Sequence, residues 1–181
     1  EIMNKTLGVI GFGKIGRRMF ERCVGLGFKE ILVCDPYIDQ GEIDNARGKP
    51  ISKKGLLEKS DILSLHLPLN PDTVDYISMS EIESMKDTAI IINTARGPVI
   101  NEKDLVEALQ ENKINSAGLD VFNNEPLASD HPLKSLNNVV LSDHTGFYSG
   151  ETMKVLQRKA AENVLEVLKG NPPVTPVNHL E

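Results

Sequence analysis

The sequence repeats one unit along most of its length, a short apolar run followed by a turn and then a helical stretch. This alternation is typical of a parallel α/β sheet, because parallel strands need a crossover connection that is usually a helix. Most of the apolar runs are continuous, which predicts strands buried on both faces and a doubly wound sheet with helices on both faces. The predicted strands are residues 6–10, 30–34, 61–65, 89–93, 116–121 and 139–142, and the predicted helices are residues 14–27, 53–58, 79–84, 102–111 and 150–169.

The chain shows no internal repeat and no flexible linker, so we predict one domain over residues 1–181, with a core over about 6–170 and a C-terminal tail after it. Two segments, residues 35–51 and 122–138, are polar and turn-rich, and each follows a predicted strand. In an open parallel sheet, ligands bind at the edge where such segments lie.

Composition and charge exclude several classes of protein. The formal net charge is −6 and the longest basic run is two residues, which argues against nucleic acid as a ligand. No stretch approaches the roughly 20 apolar residues of a membrane span, and no signal peptide is recognisable. Cys23 and Cys34 form no CxxC motif or Cys/His cluster, so we predict packed thiols, no metal and a cytoplasmic protein.

A glycine-rich turn follows the first predicted strand and opens a helix. Gly11 permits the tight turn, Gly13 lets a pyrophosphate approach the backbone, and Gly16 lets helix and strand pack closely. Asp35 ends the next strand, where it can accept hydrogen bonds from ribose hydroxyls and repel a 2′-phosphate, although an Asp before Pro36 is also a common turn former. The pattern predicts dinucleotide binding, with NAD favoured over NADP.

Three later residues have the chemistry of an active site. Arg96 follows an apolar strand and offers a planar fork for a carboxylate, while Glu125 and His144 follow neighbouring strands and could form a hydrogen-bonded acid/base pair. Taken singly, such an Arg often forms a surface ion pair and such a His is often structural. Their predicted convergence on one sheet edge favours an active site. The other histidines are interpreted as structural, with His66 also able to line the cofactor cleft: His66, His131 and His179.

These stretches, in this order, resemble the NAD-binding domain of the D-isomer-specific 2-hydroxyacid dehydrogenases over about residues 6–178. The matching stretches are residues 11–16, 33–37, 64–69, 93–97, 119–122 with Glu125 and Pro126, and 144–146. The resemblance implies a Rossmann fold and reversible hydride transfer between NAD and a 2-oxo or 2-hydroxy acid. Arg96 would bind the carboxylate and polarise the 2-oxo group, His144 would exchange the proton, and Glu125 would hold and tune His144.

The resemblance also implies the cofactor contacts. Asp120 would contact the nicotinamide carboxamide, and Pro68, Thr94 and Ala95 would line the cleft. The full predicted set is Gly11, Gly13, Lys14, Ile15, Gly16, Asp35, Pro36, His66, Pro68, Thr73, Thr94, Ala95, Arg96, Asp120, His144 and Gly146.

Residues 144–149 and 156–164 resemble most the branch that contains phosphoglycerate-dehydrogenase-like enzymes and the C-terminal-binding-protein corepressors. Two hypotheses follow: an NAD-dependent dehydrogenase, with phosphoglycerate as one candidate substrate, and an NAD(H)-sensing interaction module with little turnover. A different nicotinamide-dependent reductase is a third. Related dehydrogenases pair through this domain, so a homodimer is expected, with residues 104–114 and 122–138 as candidate surfaces.

Two departures from the family pattern are visible. Asp143 stands where the family usually has Pro before the histidine; it could add a second carboxylate beside His144 or set the loop differently. The chain begins at Glu1 rather than Met and has no counterpart of the N-terminal substrate domain. We therefore expect a piece of a longer protein that binds NAD but is incomplete for catalysis alone.

Overall fold

The computed structural model describes residues 1–176. The last five residues, including His179 and the end of the predicted tail, lie outside the described residues. Contacts divide the chain into two compact units, Glu1–His144 and the residues from Thr145 onward. The predicted domain bounds, a core to about residue 170 with a tail after it, stay a prediction.

The first unit is built on a parallel sheet of seven strands in the order β3-β2-β1-β4-β5-β6-β7. This confirms the predicted doubly wound α/β fold, because the order runs outward from β1 in both directions. The strands are β1 (Thr6–Ile10), β2 (Glu30–Cys34), β3 (Lys49–Pro50), β4 (Ile62–Leu65), β5 (Ile90–Asn93), β6 (Ser116–Leu119) and β7 (Val139–Leu141).

Helices pack on both faces of this sheet, as predicted. On one face Phe20 of α1 packs on Val9 and Val33; on the other, side chains of α3, α4 and α5 form the larger apolar cluster. The face on which α1 packs is less covered near β7, where Val140 is 75% exposed. The helices are α1 (Lys14–Cys23), α2 (Gln40–Asn45), α3 (Lys53–Lys59), α4 (Met79–Glu83) and α5 (Glu102–Gln110), with 3-10 turns at Val24–Leu26, Gly97–Val99 and Pro132–Ser135.

The segment 35–51, predicted as polar and turn-rich, contains both α2 and β3. Helix α2 has six residues, begins where the Asp39 side chain accepts a hydrogen bond from the Gly41 N–H, and buries one large apolar side chain, Ile43. Strand β3 has two residues, and its Pro50 is tolerated because β3 lies at the sheet edge. Neither element is long enough to show a periodic apolar pattern, so the sequence could not reveal them.

The strand order places the predicted site residues at one edge. The chain leaves β3 on one side of β1 and re-enters the sheet as β4 on the other side, so the connection reverses direction beside β1. Ligands of doubly wound sheets bind in the crevice at the carboxyl ends of the strands at such a reversal. The residues at these carboxyl ends are Gly11 after β1, Asp35 after β2, His66 after β4, Arg96 after β5, Asp120 after β6 and His144 after β7.

The second unit contains α6, Gly150–Leu168, close to the predicted helix 150–169. The Ser149 side chain caps it by accepting a hydrogen bond from the Thr152 N–H at 3.0 Å, and Gly170 follows its end in a left-handed conformation, φ 82°. The predicted apolar stripe of this helix is exposed; Leu156 is 52% and Val164 60% accessible.

Candidate active site

The glycine-rich turn has the close contacts that its glycines predict. Gly11 adopts φ 89°, and a Cβ there would lie 2.6 Å from the carbonyl oxygen of His66. A Cβ on Gly16 would lie 2.1 Å from the carbonyl oxygen of Gly11, so helix and turn pack backbone to backbone. Gly13 precedes the first residue of α1 and, apart from itself and its two chain neighbours, has no heavy atom of the described chain within 4 Å of its Cβ position. The turn is therefore closed on its inner side and open to an anion at the helix N-terminus.

Asp35 is fixed by the same turn. Its Oδ2 accepts a hydrogen bond from the Phe12 N–H at 2.7 Å, and its Oδ1 accepts one from the Tyr37 N–H at 2.9 Å. The carboxylate thus ties the end of β2 to the glycine-rich turn, and each oxygen keeps a further lone pair for a hydroxyl donor.

Two adjoining cavities lie at this edge and share Gly13, His66, Leu67 and Pro68. The cavity of about 180 Å³ lies on the Asp35 side, and the cavity of about 560 Å³ lies on the Arg96 side. Their predicted lining residues are Gly11, Gly13, Lys14, Ile15, Asp35, Pro36, His66, Pro68, Thr73, Thr94, Ala95 and Arg96. Tyr37 and Tyr76 also line the smaller cavity. Neither was among the predicted contacts, although Tyr37 ends the matching stretch 33–37.

His66 lines both cavities, as its position suggested, and it is held in a neutral form. Its Nε2 lies 3.0 Å from the hydroxyl of the buried Ser64. Burial lowers the pKa of His66 to about 4, so the ring carries no charge at neutral pH.

Thr73 shapes the wall of the smaller cavity through the backbone. It is 8% exposed, and its hydroxyl donates to the carbonyl oxygen of Pro68 at 2.7 Å and accepts from the Asn70 N–H at 2.9 Å. The side chain therefore folds the 68–73 loop.

Arg96 is presented by a turn that Asn93 holds. Asn93 is 1% exposed; its Oδ1 accepts from the Ala95 N–H at 3.0 Å and its Nδ2 donates to the Arg96 carbonyl at 2.9 Å. Arg96 is exposed, and its Nη1 donates a hydrogen bond to the Ala95 carbonyl oxygen at 2.6 Å. A Cβ on Gly97 would lie 2.0 Å from the carbonyl carbon of Phe122, so the arginine turn rests directly on the backbone that leads to Glu125.

Glu125 and His144 form the predicted pair. His144 Nδ1 lies 2.7 Å from Glu125 Oε2, and Glu125 Oε1 accepts the Phe122 N–H at 3.0 Å. The bonds from His144 and Phe122, with the nearby Arg96 charge, hold the pKa of the Glu125 carboxyl below its ordinary value. Because a carboxylate only accepts, Nδ1 of His144 carries a proton.

Asp143 does not prevent this contact. The loop sets His144 in a left-handed conformation, φ 50°, and its N–H donates to the Asp120 carbonyl at 2.8 Å. Asp143 is exposed and, with Leu127 and Ser142, lines a separate cavity of about 340 Å³.

Asp120 is 5% exposed and lines neither of the two adjoining cavities. Its Oδ1 accepts the Ser142 hydroxyl at 2.6 Å, and its N–H donates to the Asn93 carbonyl at 3.0 Å. It thus ties together the ends of β5, β6 and β7. Gly146 belongs to the second unit, so its predicted cofactor contact stays a prediction.

The described residues 1–176 contain no group of three or more His, Cys, Asp or Glu that could hold a metal ion. Within the same range, no helix is long and apolar enough to cross a membrane. The open Gly13 position at a helix N-terminus and the two adjoining cavities fit a dinucleotide, with its pyrophosphate at the turn.

Comparison with known proteins agrees with this geometry. Residues 1–146 match the family model for the D-isomer specific 2-hydroxyacid dehydrogenase, NAD binding domain. A glyoxylate reductase of Aeropyrum pernix is 41% identical over 179 residues, covering 98% of this chain and 53% of that protein. A D-3-phosphoglycerate dehydrogenase of Methanocaldococcus jannaschii is also 41% identical, covering 98% of this chain and 34% of that protein.

Among solved structures, the NAD complexed form of a D-isomer specific 2-hydroxyacid dehydrogenase from Lactobacillus delbrueckii ssp. bulgaricus superposes with a TM-score of 0.85 at 29% identity. The match covers 98% of this chain and 57% of that one. The chain thus spans about half the length of most relatives it matches, and the enzyme names of the relatives support the dehydrogenase hypothesis over the corepressor-like one. The chain is an NAD-binding domain and belongs to the D-isomer specific 2-hydroxyacid dehydrogenase family.

Proposed function

We propose that the whole protein transfers hydride between NAD(H) and a small 2-oxo or 2-hydroxy acid. The observation that carries this proposal is the 2.7 Å hydrogen bond between Glu125 and His144, beside the exposed guanidinium of Arg96. Binding of a dinucleotide needs none of these three side chains, whereas reduction of a 2-oxo group needs a proton donor and a carboxylate partner.

In the direction of reduction, NADH held at the glycine-rich turn would supply the hydride for the carbonyl carbon of the acid. Arg96 binds the substrate carboxylate as a bidentate fork and draws charge toward the carbonyl oxygen. His144 gives the proton on Nε2 to that oxygen, so that 2-oxo acid, NADH and a proton become 2-hydroxy acid and NAD⁺. Glu125 stabilises the charged imidazole before transfer and fixes its orientation.

We assign the cofactor contacts as follows. The Gly11–Gly16 turn and the start of α1, with Lys14 and Ile15, hold the pyrophosphate; Asp35 holds the adenosine ribose and disfavours NADP. The remaining proposed contacts are Pro36, His66, Pro68, Thr73, Thr94, Ala95, Arg96, Asp120, His144 and Gly146. The position of Asp35, with a free lone pair on each oxygen, supports the ribose role.

The substrate class is a short 2-oxo acid. The names of the relatives support glyoxylate, hydroxypyruvate and the 2-oxo form of phosphoglycerate as candidates. Because substrate recognition in such enzymes involves a second domain that closes over the cofactor, the acid is chosen largely by residues beyond this chain.

The test is NADH oxidation by the whole protein against glyoxylate, hydroxypyruvate, phosphohydroxypyruvate and pyruvate. We expect turnover that falls about a hundredfold or more in His144→Ala, with the Kd for NADH nearly unchanged. Arg96→Ala should raise KM for the acid, while the matched control Arg18→Ala, an exposed arginine on α1, should leave it unchanged. Tight NADH binding without turnover of any 2-oxo acid would refute the proposal and favour the sensing module.

We further propose a cytoplasmic homodimer that pairs through this domain, with residues 104–114 and 122–138 at the interface. The free thiols of Cys23 and Cys34 support a reducing compartment. The molar mass of the whole protein by light scattering tests the dimer, and a monomer at micromolar concentration would refute it.

A further inference from the structure

One carboxylate, that of Glu102, holds the connection between β6 and β7 at two points. Its Oε2 accepts the Asn123 N–H at 3.1 Å, and its Oε1 lies 3.3 Å from Nε2 of His131. Glu102 is the first residue of α5, a helix packed on the sheet through Leu105 and Leu109. An acidic side chain at this end is also favoured by the helix dipole. The connection is thus fastened to a rigid element.

The chemistry of His131 fixes the direction of this hydrogen bond. Its Nδ1 lies 3.3 Å from the Leu133 N–H, and a backbone N–H can only donate. Nδ1 therefore accepts, so a neutral ring carries its proton on Nε2 and donates it to Glu102. The side chains of Glu102 and His131 are 18% and 19% exposed, which shields their hydrogen bond from solvent.

The two fastened positions enclose Glu125. Asn123 lies two residues before it and His131 six residues after it, while most residues between them are exposed. Glu125 reaches His144 from this exposed stretch at 2.7 Å. Loss of the fastening would free the backbone on both sides of Glu125 without removing any atom of the acid/base pair.

We propose that Glu102 and His131 are positioning residues that aim the Glu125 carboxylate at His144. The inference rests on the proposed function, because it assigns to this pair the orientation of the proposed acid/base residues. A misplacement of about 1 Å in such a group can cost about a hundredfold in rate.

The experiment compares four substitutions in the whole protein. Glu102→Ala removes both contacts. His131→Asn keeps an acceptor for the Leu133 N–H and loses the donor to Glu102, whereas His131→Gln keeps the donor and loses the acceptor. Glu58→Ala, which removes an exposed carboxylate on α3 outside the proposed dimer interface, is the matched control.

We expect Glu102→Ala and His131→Asn to lower kcat about tenfold to a hundredfold, with the Kd for NADH within about twofold of the unsubstituted protein. His131→Gln and Glu58→Ala should retain most activity. The pKa of the Glu125 carboxyl can be measured by carbon NMR. It should move back toward its ordinary value only in Glu102→Ala and His131→Asn, because the hydrogen bond from His144 to Glu125 is lost in these two variants.

Unchanged kcat and an unchanged Glu125 pKa in Glu102→Ala would overturn the inference. The inference would also be overturned if His131→Asn retained activity and His131→Gln lost it. Only the hydrogen bond from the Leu133 N–H to residue 131 would then matter. If Glu102→Ala does not fold, the two His131 variants decide. Failure of the proposed function is distinguishable, because the unsubstituted protein would then turn over no 2-oxo acid, while the Glu125 pKa would still report on the positioning.

Discussion

Gly97 offers the sharpest steric test of the site. In Gly97→Ala the new Cβ would lie 2.0 Å from the carbonyl carbon and 2.1 Å from the carbonyl oxygen of Phe122, and 2.6 Å from the Asn123 nitrogen. The shortest of these is roughly 1.5 Å below ordinary van der Waals contact, and every neighbour is backbone that cannot rotate away. Overpacking of this kind costs about 1–3 kcal/mol, and we expect the upper end, about 3 kcal/mol of unfolding free energy.

The assay is urea unfolding followed by circular dichroism, with turnover of the whole protein as a second readout. We expect kcat to fall about a hundredfold, because relief of the clash moves Arg96 away from Glu125 by an ångström or more. Gly25→Ala is the matched control, since no heavy atom of the described chain outside its own helical turn lies within 4 Å of its Cβ position. An unfolding free energy of Gly97→Ala within about 0.5 kcal/mol of that of the control would refute the reasoning.

Three further predictions concern charge. Asp35→Ala should raise the Kd for NADH about tenfold or more and narrow the preference for NADH over NADPH, because charged hydrogen bonds are lost; unchanged selectivity would contradict the ribose role. Although burial opposes it, hydrogen bonds from Ser78 and Lys53 lower the pKa of Glu81 to about 2, so its stabilisation is complete above about pH 4.5 and is lost as pH falls toward 2. In urea unfolding, Glu81→Gln should thus lower the free energy of unfolding by about 2 kcal/mol at pH 7, and this loss should shrink below pH 4. The control substitution Glu83→Gln should not show this loss. His66 should titrate near pH 4 by histidine NMR, and a midpoint above pH 6 would show that its ring is not desolvated.

The sheet could be predicted because its central strands, β1, β2 and β4, are buried on both faces and helices such as α1 and α5 are amphipathic. Six of the seven strands lie within the predicted ranges, with the ends shortened by up to two residues. Asp61, for example, was assigned to a strand but lies just before β4, where its carboxylate accepts the Thr6 N–H. Helix α2 and strand β3 could not be predicted, because six and two residues are too few to carry a periodic signal.

The candidate site could be predicted where the type of a residue and its position at a strand end already indicate its chemistry. The Glu125–His144 contact was expected from neighbouring strand ends and is present. Asn93, Gly97 and Glu102 were not singled out, because their importance depends on which backbone atoms approach them after folding. An Asn at a strand end or a Glu at a helix start has ordinary local reasons to be there.

The two backbone hydrogen bonds to Asp35 connect its proposed role in cofactor choice to the order of the glycine-rich turn. The carboxylate is already oriented by Phe12 and Tyr37, so in the proposed ribose contact its oxygens would lose little conformational entropy on binding. The same arrangement restricts coenzyme redesign. A substitution that admits a 2′-phosphate also leaves the Phe12 N–H without its acceptor, so a successful switch to NADP needs a second change that satisfies this donor.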